Sequence, residues 1–317
     1  MLHPITPLLA ALSLAAAPAT PPAEPQYLFE LATSTGASES TWATLSYDRK
    51  HDELFTIHDG LVHIFNQAGM ETFTFGGDGD LGSPERLAVF ENGDILLLTN
   101  VGGRRAIIRC DYRGERLGTF APAPLPKGFT EFDPDRVQVH GGKVYLVEAS
   151  AMRVVVTDGE GKVEQTHDLA ALVRKKEPDT KIGMNGFWVD GQGNFVFTLP
   201  YAFTAFVMSP TGVLRQFGSR GSSPGKFNIV GSVVADEKGW LFVLDRLRSV
   251  VMVFDPDLRF VLEFGYRGDG PTNLIAPYDL AVGNGKVFVS QARGRGVKAF
   301  VYDFLKTPTR RLGEKID

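Results

Sequence analysis

The sequence predicts an all-β protein: a six-bladed β-propeller of four-stranded blades, closed by a strand from the N-terminal part of the chain. Three observations predict it. A strand–turn–strand pattern recurs six times. Equivalent positions in the copies, His58, Thr99, Glu148, Leu199, Asp245 and Gln291, are spaced 41, 49, 51, 46 and 46 residues apart. Several copies end in Phe-Gly followed by more glycine, as in "FGGDGDLG" from Phe75, "FGSRGSSPG" from Phe217 and "FGYRGDG" from Phe264. Four-stranded units of roughly 40–50 residues are the sequence mark of propeller blades.

Composition agrees. A hydrophobic fraction of 43% supports a real core, and 35 Gly and 19 Pro among only short apolar runs require many turns between short strands. A net charge of −4 gives no global attraction to nucleic acid.

In chain order, residues 1–19 read as a signal peptide. The apolar stretch from Ile5 to Ala17 is too short to span a bilayer, and Ala17-Pro18-Ala19 fits a small-x-small cleavage site, leaving Thr20 as the mature start. Residues 20–26 form a Pro-rich linker, and 306–317 a polar C-terminal tail. An exported, unanchored protein of the periplasm or extracellular space is expected. Cys110 is the only cysteine, which excludes an intramolecular disulfide and haem attachment through CxxCH; it reads as a buried packing residue.

The propeller occupies residues 27–305. Its six copies begin "WATLSYDRKHDELFTIH" at Trp42, "PERLAVFENGDILLLTN" at Pro84, "PDRVQVHGGKVYLVEAS" at Pro134, "MNGFWVDGQGNFVFTLP" at Met184, "VGSVVADEKGWLFVLDR" at Val230 and "PYDLAVGNGKVFVSQA" at Pro277. Each joins two strands through a turn rich in Gly, Asp or Asn. A third strand follows, such as "AIIRCD" or "VVMVFD". The last blade has only three strands before the tail, while "YLFELATSTG" is similar to "FVLEFGYRG". Tyr27 to Ala32 is therefore expected as the outer strand of blade six, which removes an open edge. The segment from His167 to Gly186 departs from the repeat and predicts a short amphipathic helix, with Leu169, Leu172 and Val173 on one side. Arg267-Gly268-Asp269 falls between blades and reads as a turn, with Gly268 and Gly270 supplying backbone freedom.

The fifth copy, "VVADEKGWLFVLDRLRSVVMVFDPDLRFVLEFGYRG", resembles an NHL repeat. That pattern runs apolar-Asp-x-x-Gly-x-apolar-x-apolar-Asp, then an Arg before a strand ending Phe-Asp, then Phe-Gly-x-x-Gly. Blades one, two and six match in part, and three and four are degenerate. The resemblance implies the propeller fold but no single activity, because such repeats serve enzymes, sensors and adaptors. It also implies, for exported bacterial members, association with multihaem cytochromes, so an acidic cytochrome or its haem propionates joins the expected partners.

Second-to-third turns and blade-to-blade turns share one face. Arg104, Arg105, Arg153, Arg246, Arg248, Arg293 and Arg295 fall at the former, and Arg220 and Arg267 at the latter. Arg suits carboxylates and phosphates through its forked donors. The leading expectation is a non-catalytic binding or scaffold propeller, without cofactor, engaging an acidic protein, glycan or envelope polymer through these arginines. No aromatic residues interleave with them for base stacking, so nucleic acid is not an expected partner.

The alternative is a divalent-metal lyase or lactonase-type hydrolase that binds one ion at an axial polar ring of His58, Thr99, Asn100, Glu148, Asp245 and Gln291. The lyase branch that the resemblance suggests holds zinc with histidines. Here only His58 is well placed: His51 and His140 belong to first-to-second turns, and His63 and His167 to outer strands. Glu148, Asp245 and Asn100 remain as ligands for one ion.

Overall fold

Six four-stranded antiparallel sheets form because each copy of the repeat folds as a meander whose strands bury alternate apolar residues against the next copy. The computed structural model describes residues 23–33, 36–37, 40, 42–77, 79–292 and 295–304. The expected signal peptide, the tail 306–317, Arg293 and linker residues 20–22 lie outside the described residues. Among the described residues no helix is long and apolar enough to cross a membrane.

From the axis outward, blade one is Thr44–Asp48, Glu53–His58, Leu61–Phe65 and Glu71–Phe75. The inner strands of the others are Ser83–Val89, Arg136–His140, Phe187–Val189, Val230–Ala235 and Pro277–Gly283. Blade six is completed by Gln26–Glu30, which pairs antiparallel with Val297–Val301 and sets Tyr27 beside Phe300 and Glu30 beside Lys298. The ring therefore closes through the N-terminal strand, as expected. The core lies between blades: Phe217, Phe227 and Phe254, for example, form one aromatic cluster between blades four and five.

The Phe-Gly motif has a physical reason. Its Phe enters the core and its Gly adopts a left-handed φ: +107° at Gly76, +74° at Gly218 and +107° at Gly265. The chain then folds over that glycine to enter the next blade. Phe227 sits on Gly218 and Leu274 on Gly265, and matching short parallel bridges join Arg220 to Phe227 and Arg267 to Leu274.

This corrects the reading of Gly268 and Gly270. Neither has positive φ; the left-handed residues of that turn are Gly265 and Tyr266. Gly268 is needed because a Cβ there would come within 2.8 Å of Asn273, whose amide donates to the Gly265 carbonyl at 3.2 Å.

Cys110 is buried among Phe55, Leu87 and Ile108, and burial pushes its thiol up to about 12. The departing segment forms the helix Leu169–Lys176, N-capped by Asp168, whose carboxylate accepts the Ala171 N–H at 2.8 Å. Leu169, Ala170 and Val173 bury into the core between blades three and four.

Candidate functional site

The repeat topology places all second-to-third and blade-to-blade turns at one end of the ring, and this face holds the arginines. Four are engaged by carboxylates. Arg105 reaches Glu85 at 3.2 Å and Asp133 at 2.8 Å, Arg153 reaches Glu148 at 2.9 Å, Arg295 reaches Asp269 at 3.0 Å, and Arg248 grips Glu263 with both amino groups. Two lie over aromatic rings, Arg220 on Phe203 at 4.8 Å and Arg246 on Tyr278 at 5.3 Å. Arg104 and Arg267 are exposed and make no ion pair among the described residues.

The same face carries apolar groups that sequence reasoning did not single out. Trp42, Val101, Tyr201, Ile229, Leu247 and Tyr266 are all large, exposed and in or beside its turns. Leu247 is 63% exposed and Tyr201 is 66% exposed, values that mark them as presented to solvent rather than packed. Tyr201 belongs to the 3-10 turn Pro200–Ala202. Five of these six cluster on blades four to six and the adjoining start of blade one, beside Arg220, Arg246 and Arg267. Exposed aromatics next to arginines are the composition of protein-binding surfaces.

Most of the axial ring instead acts as latches. Thr99 donates to the Leu81 carbonyl at 2.6 Å, Asp245 accepts the Asn228 N–H at 2.7 Å, and Gln291 accepts the Ile275 N–H at 2.8 Å. In each case a buried polar end of the second strand holds the incoming blade connection. Asp245 also accepts from Leu247 and Arg248 N–H at 3.1 Å. Asn100 accepts from Gly103 N–H at 2.8 Å, and Glu148 pairs with Arg153. Among the described residues no three His, Cys, Asp or Glu side chains converge as metal ligands.

His58 does meet another histidine. His63 lies in the third strand of blade one, not an outer strand, and its ring stacks on His58 at 3.9 Å. His63 Nδ1 is 2.5 Å from Glu71, and Thr74 donates to Glu71 at 2.9 Å. Burial, reinforced by His63, pulls His58 down to about 4. Burial would raise Glu71, but its bonds to His63 and Thr74 hold it below the usual carboxylate range.

The inner strands enclose an axial cavity of about 880 Å³ that extends to the first-to-second turns at Lys50, Asn92 and Gly141. Arg246 alone of the eight predicted arginines that are described lines it. Arg86 and Arg136 line it too. The repeat itself carries their signal: the third residue of the six aligned copies is Thr44, Arg86, Arg136, Gly186, Ser232 and Asp279.

Fold and site together define a six-bladed β-propeller. No family model and no curated protein matches the chain. Solved structures do. A gluconolactonase from Xanthomonas campestris shares 14% identity at a TM-score of 0.59, over 91% of this chain and 99% of that one. Regucalcin, a calcium-binding protein of Agrobacterium tumefaciens, shares 13% at 0.56, over 91% and 100%. A virginiamycin B lyase from Staphylococcus aureus, in a catalytically inactive form with quinupristin, shares 11% at 0.55, over 82% and 80%. At these identities the likeness is one of fold.

Proposed function

We propose that this protein is an exported, NHL-type binding propeller that docks an acidic protein on its arginine-bearing face. One observation carries the reading: Trp42, Tyr201, Ile229, Leu247 and Tyr266 are exposed on the part of the face that also presents Arg220, Arg246 and Arg267. Buried aromatic and aliphatic anchors supply affinity, and surrounding arginines select an acidic partner and speed its approach. An acidic multihaem cytochrome fits this chemistry. The lyase or hydrolase reading has less support, because Glu148, Asp245 and Asn100 are engaged within their own blades or connections.

The test immobilises the chain from Thr20 and challenges it with native envelope extract at low and high salt. Arg104→Glu/Arg220→Glu/Arg267→Glu and Leu247→Asp variants run beside it, with Arg113→Glu/Lys162→Glu on the opposite face as control. An acidic protein captured by the parent and control, released by salt and lost by both face variants is the expected result. Equal capture by all four forms overturns it. A stoichiometric divalent ion with lactonase or lyase turnover would favour the enzyme.

A further inference from the structure

Besides Arg246, the axial cavity holds two guanidinium groups that the protein pairs poorly. Arg86 makes no ion pair among the described residues; its nearest hydrogen-bond contact is the Glu85 carbonyl, at 3.5 Å. Arg136 lies deep in the ring, although 24% of its side chain is reachable through the cavity. Its Nε has no hydrogen-bond partner among the described residues, and the Asp135 carboxylate, 3.9 Å away, is beyond hydrogen-bond range. The acids nearby are already in use. Asp135 accepts the Ala149 N–H at 3.3 Å, and Asp279 accepts the N–H groups of Leu45 and Leu280 at 3.1 and 3.0 Å. Burial, and then the charge of Arg86, push Arg136 below the usual arginine value, as expected for like charges sharing a poorly solvated space.

We infer that the cavity is a binding site for a small organic oxyanion, a carboxylate or phosphate with an apolar body, held at its charged end by Arg86 and Arg136. A buried unpaired guanidinium donor is a liability that a ligand oxyanion removes, and forked donors match both head groups. The volume of about 880 Å³ lies in the range of small-molecule sites and far exceeds what an inorganic anion fills. Phe187, Trp188 and Tyr278 line it and supply apolar surface for the rest of the molecule. Tyr278 is itself held between Trp42, stacked at 5.8 Å, and Arg246, which fixes one wall. The cavity adjoins the proposed docking face at Arg246 and Tyr278 and extends from there to the opposite turns.

Calorimetric titration of the chain from Thr20 tests this with four probes: benzoate, phenyl phosphate, neutral benzamide and inorganic phosphate. Benzoate or phenyl phosphate should saturate one site, with benzamide and inorganic phosphate each at least about tenfold weaker. Arg86→Met and Arg136→Met should each weaken the organic anion by about tenfold or more. Without ligand, Arg136→Met should melt at a higher temperature than the parent, because it removes a poorly solvated charge that Asp135 pairs only at 3.9 Å. Absence of saturable binding, equal binding of benzamide, or unchanged affinity in both variants overturns the site. Equal binding of inorganic phosphate overturns the organic body. A lower melting temperature for Arg136→Met overturns the assignment of that arginine to a ligand and makes it a structural residue; Arg86→Met then still tests the cavity.

Discussion

At Gly218 the chain needs both a left-handed backbone, φ +74°, and room for the Phe227 ring that lies against its α-carbon. Gly218→Ala should therefore cost about 3 kcal/mol in urea unfolding, combining backbone strain with an overpacked aromatic contact. Gly212→Ala is the control. Its φ is +82° with nothing within 4 Å, so it should cost only about 1 kcal/mol from strain. Equal losses would refute the packing role of the Phe-Gly motif. His58 allows a second residue-level prediction. Its ordinary pKa of 6.5 falls to about 4 in the fold, so between these values the unfolded chain holds more protons than the native one. Stability from this residue is complete above pH 6.5, declines as pH falls toward 4 and levels off below. Asp59 and Glu71 oppose the shift but do not cancel it. Unfolding midpoints across that window should fall more steeply for the parent than for His58→Asn; parallel curves would show that His58 titrates normally.

The element most exposed to test is the closing strand, Gln26–Glu30. It follows the expected cleavage site, so export would leave it intact. Phe29 pairs with Ala299, and its ring packs against Gly69. Phe29→Pro removes a ladder N–H and that ring together. It should cost about 3 kcal/mol or more and uncover the edge at Val297–Val301, read as a lower melting temperature and as concentration-dependent association in sedimentation. A monomer of unchanged stability would mean that the ring does not depend on this closure. The strand was legible because "YLFELATSTG" carries the same apolar spacing as the outer strand of blade five. The blades were legible for a similar reason: a turn flanked by alternating apolar residues states a hairpin locally, and six copies state it repeatedly. Residues whose meaning depends on the ring were harder to read. Arg86 looks like an ordinary strand residue in "PERLAVF" until six inner strands are set around one axis. His63, one residue of a third strand, gains its role only when its register places it against His58 and Glu71.

For the whole molecule, the topology separates two surfaces that the sequence presents as one scatter of arginines. Blade-to-blade and second-to-third turns gather Arg104, Arg220 and Arg267 with the exposed aromatics at one end. Inner strands carry Arg86 and Arg136 into the axis. The two sets share no hydrogen-bond or ion-pair partner among the described residues, and residues that share no partners contribute independently to free energy. The two activities should therefore come apart. The Arg104→Glu/Arg220→Glu/Arg267→Glu variant should lose capture of an acidic protein while keeping the parent's affinity for benzoate or phenyl phosphate. Arg136→Met should lose the small anion while capturing the protein as the parent does. Arg246 is the position where this separation should fail. Its guanidinium lies over Tyr278, and both line the cavity beneath the docking face. Arg246→Ala should weaken both, and occupancy of the cavity should then change capture of the protein partner by the same factor as the partner changes affinity for the small anion. Arg246→Ala altering only one activity would mean that the face and the cavity work as unconnected sites on one ring.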